Sequence, residues 1–204
     1  SVLHVVTVID DATGTKINPV NLASWFAGYT SLVTFDGAGM DTKNTLSFES
    51  LFEGDSKLEE VDIAGWDMRE TTFGSSGTDD EGNDIPILTG YANMFKGCTS
   101  LKKIVVGANS ALQGTGFDSI TGRDPNSGMW RTDASEGNTL FDHTWFETSA
   151  GLATRFDTAG NGSIYGTRVE FIWTPGKGGH FVGNADAWWA YDSETNTLYL
   201  GSVN

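Results

Sequence analysis

The sequence predicts an α/β solenoid of four stacked coils, each with a short parallel strand and a short helix, followed by a cap. Two observations lead to this fold class. A phrase with phenylalanine, glycine and leucine recurs at a fixed spacing in the first half, and many aromatic residues replace it in the second half. A period of about 20–50 residues is typical of units that stack because none buries its apolar face alone. The aromatic-rich remainder is predicted to be an α+β or mostly β unit that covers the last coil.

The repeated phrase occurs three times, as WFAGYTSLVTFDG from Trp25, LFEGDSKLEEVDI from Leu51 and MFKGCTSLKKIVV from Met94. The first two copies are 26 residues apart and the last two are 43 apart, which is 26 plus an insertion of 17. A further step of 26 residues towards the start of the chain reaches the apolar run VVTVID. We therefore expect four strands, which begin at Val6, Leu32, Leu58 and Leu101.

Each coil is also predicted to contain a short helix that ends near the phenylalanine of the phrase. The helices are expected near Pro19–Ala27, Leu46–Glu53 and Tyr91–Lys96. A glycine follows each helix, where a left-handed cap favours this residue, at Gly28, Gly54 and Gly97. The phenylalanines share one phase relative to the strands, so we expect one buried column made of Phe26, Phe52 and Phe95.

Two units follow from these boundaries. The solenoid spans residues 1–112 and contains one insertion, at 74–88, whose polar, acidic and glycine-rich sequence is typical of a surface loop. The capping unit spans 113–204 and ends in a β-hairpin, because WWAYD and TLYLG are strand-like runs joined by the polar turn SETN. Thr144 and Glu147 form a capping box ahead of a helix in this unit. The glycine-rich stretch 176–179 leaves open whether residues 176–204 belong to the cap or begin a following module.

The phrase MFKGCTSLKKI resembles the leucine-rich repeats of BspA-type bacterial surface proteins, whose 26-residue unit is like that of mycoplasma lipoproteins. Met94, Phe95, Gly97, Cys98 and Leu101 fit the family's usual line, and the resemblance covers about residues 6–108. It implies a leucine-rich-repeat solenoid that is exported and displayed on the bacterial cell surface. It also implies adhesion or binding to a host or matrix protein or a glycan, and it implies no catalytic residues.

Composition excludes several classes of partner. The net charge of −15 argues against nucleic acid, since phosphate binding needs clustered basic residues, and against docking on anionic lipid. No apolar run is long enough for membrane insertion. The single cysteine, Cys98, forms no internal disulfide and is predicted to act as a small buried apolar residue. The abrupt start at Ser1 leads us to expect a piece of a larger multidomain surface protein.

A column of aspartates is the main candidate binding site. The third exposed position of each predicted strand is occupied by Asp10, Asp36, Asp62 and then Val105. Neighbouring rungs of a sheet lie about 4.8 Å apart, so these carboxylates would repel one another unless something relieves them. The relief is a turn N–H group, a bound cation such as weakly held calcium, or a basic group on a partner. Beside the column, Glu59 and Glu60 are expected to face Lys102 and Lys103.

Two other candidate binding sites have less support from the sequence pattern. Asp79, Glu81 and Asp84 offer oxygen ligands for weak calcium binding, although the spacing does not match an EF-hand, and a solvated loop is the alternative. The adjacent pair Trp188 and Trp189 cannot both point inward on one strand, so one of them is expected to face outward as a contact surface. No cofactor is otherwise predicted.

The sequence therefore favours a non-enzymatic, extracellular binding or adhesion module. The alternative is a structural stalk or spacer that displays another domain of a larger surface protein. A carbohydrate-active enzyme has less support, because the three histidines lie far apart and no catalytic motif occurs.

Overall fold

The computed structural model describes residues 5–8, 14–71, 77–78, 84–85, 90–117, 128–132, 145–157, 159–160, 168–181, 184–193 and 196–202. Its strands are β1 Val5–Thr7, β2 Thr34–Asp36, β3 Glu60–Asp62, β4 Gly77–Thr78, β5 Asp84–Ile85, β6 Lys103–Val106, β7 Gly128–Thr132, β8 Trp145–Glu147, β9 Val169–Phe181, β10 Asn184–Asp192 and β11 Thr197–Ser202. The one α-helix in these ranges is α1, Ser149–Arg155.

A mixed sheet of nine strands organises the fold. Its main path runs in the order β1-β2-β3-β6-β9-β10-β11, while β7 pairs with β8 and β9 off this path. The first four strands are parallel, and β9 then adds antiparallel to β6. Strands β4 and β5 form a separate two-stranded pair inside the predicted insertion, most of which lies outside the described residues.

The predicted fold class, an α/β leucine-rich-repeat solenoid with short helices, is wrong. The fold is largely β, and none of the three predicted helices forms. The corresponding turn segments are 21–29, 47–55 and 90–98. A residue near the middle of each has a positive φ, at Ser24, Ser50 and Asn93, and an L-residue in that conformation interrupts a right-handed helix.

The backbone N–H groups of the turn segments make two kinds of hydrogen bond in place of helical ones. In each turn segment alternate N–H groups bond three residues back, as Trp25 does to the carbonyl of Leu22 at 3.2 Å. The N–H groups between them donate to the next segment, as Phe26 does to Leu51 at 3.0 Å. Backbone N–H groups must be satisfied when buried, and this alternation satisfies them without an i→i−4 ladder. The expected glycines do adopt positive φ, of 77°, 84° and 83° at Gly28, Gly54 and Gly97.

The strand register confirms two of the three predicted spacings. Phe35 lies opposite Val61, and Val61 lies opposite Ile104, so β2, β3 and β6 are offset by 26 and then 43 residues. The first spacing is wrong, because Val6 and not Ile9 lies opposite Phe35. The run VVTVI is apolar at almost every position, so a slip of three residues left the sequence pattern intact and the register undetermined.

The predicted column of phenylalanines is confirmed. The ring centroids of Phe26 and Phe52 are 5.8 Å apart and those of Phe52 and Phe95 are 5.7 Å apart, with rings within 13° of parallel. Phe52 and Phe95 are fully buried, whereas Phe26 is partly buried. The column continues into the second half of the chain through Phe117, Trp130 and Trp173.

The second half is built around β9. This strand runs without a break through the glycine-rich stretch 176–179, pairing with β6 near its start and with β10 near its end. The predicted hairpin forms as β10 and β11. The helix begins later than expected: Thr148 caps α1 by accepting from the N–H of Gly151 at 3.0 Å, and Glu147 belongs to β8. Thr144 lies outside the described residues.

Within the described ranges, no helix has the length and apolar character needed to cross a membrane.

Candidate functional site

A shallow groove of about 170 Å³ lies on the face of the sheet formed by β2, β3 and β6. The strands present their inward side chains Phe35, Val61 and Ile104 to the core, so the alternate residues project from the opposite face, where most are partly exposed and Val105 is buried. The groove is lined by Thr34, Phe35, Asp36, Glu60, Val61, Asp62, Lys103, Val105 and Arg168.

Asp36 and Asp62 occupy neighbouring rungs in this groove, as predicted. They are paired across β2 and β3, and Asp62 is paired with Val105 across β3 and β6. On the other side Asp36 faces Thr7. The predicted column of three carboxylates is therefore wrong at its first member, and Asp10 itself lies outside the described residues.

Each aspartate bonds the turn that follows its strand. The Oδ1 atom of Asp36 accepts from the N–H of Ala38 at 2.9 Å, and that of Asp62 accepts from Ala64 at 3.1 Å. This is the turn-bonded alternative of the three considered. Asp62 has a second partner, since its Oδ2 lies 2.6 Å from a guanidinium nitrogen of Arg168. Among the described residues no cationic side chain forms an ion pair with Asp36.

Two further ion pairs lie on this face. The ammonium of Lys102 lies 2.5 Å from Glu59, as the sequence predicted. Lys103 lies next to Glu60 in register but forms its ion pair with Glu170 of β9, at 2.8 Å. The hydrogen bond to Glu170 raises the pKa of Lys103, which therefore remains charged at neutral pH. The groove is thus a polar surface in which both signs occur, and its carboxylates Asp36 and Glu60 have no ion-pair partner among the described residues.

The sequence did not reveal Arg168 and Glu170 as members of this site. They reach it because β9 pairs antiparallel with β6, which sets Glu170 opposite Val105. The available signal was the segment TRVEFIW, where Arg168 and Glu170 are two residues apart and so project from the same face of a strand. The order in which β9 joins the sheet could not be inferred from this local pattern.

No group of three or more metal-ligating side chains is found among the residues that the structure describes. Asp79 and Glu81 lie outside those residues, and for Asp84 the structure describes only the backbone of β5. Calcium binding at either predicted set therefore stays a prediction.

The tryptophan pair lies on β10, where Trp188 is opposite Gly201 and Trp189 is opposite Leu200 of β11. Trp189 is partly exposed, and the side chain of Trp188 is outside what the structure describes. Trp189 is not among the residues that line the groove.

Cys98 lies in the interior and not in the groove. Its thiol is fully buried and donates to the carbonyl of Phe52 at 3.2 Å. Burial, together with the nearby charge of Asp55, raises the pKa of Cys98 far above its ordinary value. A thiol in this state is a poor nucleophile, which agrees with its predicted role as a small apolar residue.

Comparison of the chain with protein-family models, with curated proteins and with solved structures found no significant match.

Proposed function

We propose that the chain is a non-enzymatic binding module whose contact surface is the groove on β2, β3 and β6. The ligand side of the contact is a basic group carried by a host or matrix protein or by a glycan. Display outside a bacterial cell, as part of a larger surface protein, belongs to the same proposal and rests on the resemblance of the repeated phrase to BspA-type proteins.

One observation carries the proposal. Asp62 already has an arginine partner at 2.6 Å, whereas Asp36, one rung away in the same groove, has only a turn N–H group on one of its two carboxylate oxygens. A partly buried carboxylate with an open oxygen favours an incoming N–H donor with positive charge, because charge-assisted hydrogen bonds are stronger than neutral ones.

The charge of the whole chain supports the same choice of ligand. At a net charge of −15 the protein attracts cationic groups and repels anionic ones over about 10 Å at moderate salt. Lys103 and Arg168 supply donors of their own at the edge of the groove, but each is engaged by a carboxylate of this chain.

A binding screen against immobilised fibronectin, mucin and a glycan array tests the proposal. The Asp36→Asn variant keeps the acceptor for Ala38 while it removes the charge, and it is expected to weaken the strongest interaction about tenfold. Asp41→Asn is the matched control, since Asp41 also bonds a turn N–H two residues on but lies away from the groove. Binding should also weaken as salt rises from low to physiological concentration.

Equal binding by Asp36→Asn and the parent chain would show that the groove is not the contact surface. If the parent chain binds none of these ligands, the structural stalk or spacer becomes the better description.

A further inference from the structure

The β1 end of the molecule exposes side chains whose counterparts are buried elsewhere in the chain. Trp25 is 48% exposed, yet Leu51 and Met94 at the same position of the next two turn segments are 0% exposed. Tyr29 is 46% exposed, while its counterparts Asp55 and Cys98 are 0% exposed. These positions are buried where another segment lies on the preceding side, and the first segment has no such neighbour among the described residues.

The backbone shows the same asymmetry. Carbonyl groups of the second and third turn segments accept N–H donors from the segment before them, as Leu51 does from Phe26 and Met94 from Phe52. The corresponding carbonyls of the first segment belong to Asn21, Ala23, Trp25 and Ala27. No N–H group among the described residues donates to these four.

The backbone N–H groups of residues 22–29 are already engaged. The N–H groups of residues 22, 24, 26 and 28 donate to the second segment, and those of residues 25, 27 and 29 bond three residues back. The N–H group of Ala23 donates to the side chain of Asn21 at 2.7 Å. A ligand for this edge must therefore bring the donors, and two copies of the chain set face to face would oppose carbonyl to carbonyl.

This end of the molecule also carries little charge, although the chain as a whole is strongly acidic. Residues 14–35 contain a single charged side chain, Lys16, although the whole chain carries 27 acidic residues. Exposed Val5, Ile17 and Val20 lie on the same end of the chain as Trp25 and Tyr29. The edge strand β1 pairs only with β2 among the strands described.

We propose that this end is a docking surface for a polypeptide segment that lies parallel to residues 21–29, donates backbone N–H groups at alternate residues and covers Trp25 and Tyr29 with apolar side chains. The contact continues the one already made between the first, second and third turn segments. As in the addition of a strand to a sheet edge, the main chain gains hydrogen bonds and the side chains at alternate positions give the contact its specificity.

A peptide with the sequence of residues 43–63 is a suitable probe, because within the chain this stretch makes the same contact on the third turn segment. Its N–H groups at Phe48, Ser50, Phe52 and Gly54 donate there to Gly90, Ala92, Met94 and Lys96. Titration of the ¹⁵N-labelled full chain with this peptide is expected to shift the amide signals of residues 20–29 and the indole signal of Trp25.

One change to the peptide tests the backbone hydrogen bonds, and one change to the full chain tests the apolar contact. A peptide N-methylated at Ser50 and Phe52 keeps its side chains but loses two donors, and it is expected to bind at least tenfold more weakly. Trp25→Glu in the full chain should reduce binding by a similar factor. Leu200→Glu, at an exposed position of β11 on the opposite edge, should leave binding unchanged.

Shifts outside residues 5–8 and 14–36, or no shifts at millimolar peptide, would overturn the proposal. So would equal binding by the N-methylated peptide. Sedimentation that shows a dimer abolished by Trp25→Glu would assign the surface to a second copy of the chain and would overturn the requirement for a donor-bearing segment.

Discussion

Asp55 is a carboxylate in the interior of the second turn segment, and its side chain is fully buried. Neither of its oxygens has a well-formed hydrogen bond. The backbone N–H groups of Tyr29 and Gly28 act in the opposite direction and lower the pKa of Asp55, but they already donate to Phe26 and Glu53. Desolvation is therefore the larger effect, and it raises the pKa of Asp55 from 3.8 to about 7.

This residue predicts a stability that falls as pH rises. Because the folded state holds the Asp55 proton more tightly than the unfolded state, its contribution is complete below about pH 4 and is lost between about pH 4 and pH 7. The loss is at most about 4 kcal/mol. Asp55→Asn is expected to remove most of this dependence, so that the variant exceeds the parent in stability at pH 8, as measured by urea unfolding.

Asp41→Asn serves as the control for that experiment, because Asp41 is at the surface beside Lys43. Comparison with this control removes the general effect of the acidic net charge. Parallel stability curves for Asp55→Asn and the parent chain between pH 4 and pH 8 would contradict the account of Asp55.

Gly37 is a residue at which packing and not backbone conformation requires glycine. A Cβ atom there would lie 2.6 Å from Nε1 of Trp66, whose indole is buried and donates to the carbonyl of Gly37 at 3.0 Å. We expect Gly37→Ala to lower the free energy of unfolding by about 1–3 kcal/mol, since the indole must shift or lose its bond. Gly65→Ala is the matched control, because a Cβ at Gly65 would meet no atom within 4 Å. Equal loss in both variants would contradict the packing argument.

At the scale of elements, the turn segments are held by the phenylalanine column and by bonds between neighbouring segments. Phe52 lies between two parallel rings and is fully buried. Phe52→Ala is expected to cost about 3–5 kcal/mol, measured by thermal or urea unfolding. Phe26→Ala should cost less, because the outer face of that ring has no stacked neighbour among the described residues. A larger loss for Phe26 than for Phe52 would show that the column is not the main support of the segments.

The sequence was sufficient to predict the elements that recur, and insufficient where local preference competes with contacts between segments. The spacing of Phe26, Phe52 and Phe95 predicted both the stack and the register of β2, β3 and β6. The same phrases suggested helices, because apolar residues at short intervals before a glycine are compatible with a helical turn. Turn segments form instead, because their N–H groups bond to the next segment. The energy of these bonds depends on neighbouring segments, which a local sequence pattern does not contain.

The candidate site divides in the same way. Asp36 and Asp62 were predicted from the period alone, and they lie on adjacent rungs. Arg168 and Glu170 were missed because they come from β9, more than 60 residues further along the chain than β6. Their positions depend on the antiparallel pairing of β9 with β6, which no sequence repeat predicts. Asp10 was misassigned because the apolar run before it permits several registers.

At the scale of the whole molecule, one sheet and one core join the two halves of the chain. Strand β9 pairs with β6 through Ile104 and Phe171, and both side chains are buried in the cluster that also contains Phe52. Differential scanning calorimetry is expected to show one unfolding transition, with equal calorimetric and van't Hoff enthalpies. Phe171→Ala and Phe52→Ala should both lower the midpoint of that transition. Two separated transitions, each sensitive to one variant, would contradict a shared core.

The face of β2, β3 and β6 is proposed to take a basic group beside Asp36. Asp36 has no ion-pair partner among the described residues, whereas Asp62 is already paired with Arg168. A small basic probe tests this without knowledge of the full ligand, because N-acetyl-arginine amide carries the guanidinium and has no other charge.

The most direct measurement is a titration of the ¹⁵N-labelled chain with N-acetyl-arginine amide at low salt. We expect saturable shifts at the amides of Thr34, Asp36 and Ala38, weaker shifts near Asp62, and loss of both in Asp36→Asn. Uniform, non-saturating shifts over the acidic surface, or a pattern that Asp36→Asn leaves unchanged, would contradict the proposal.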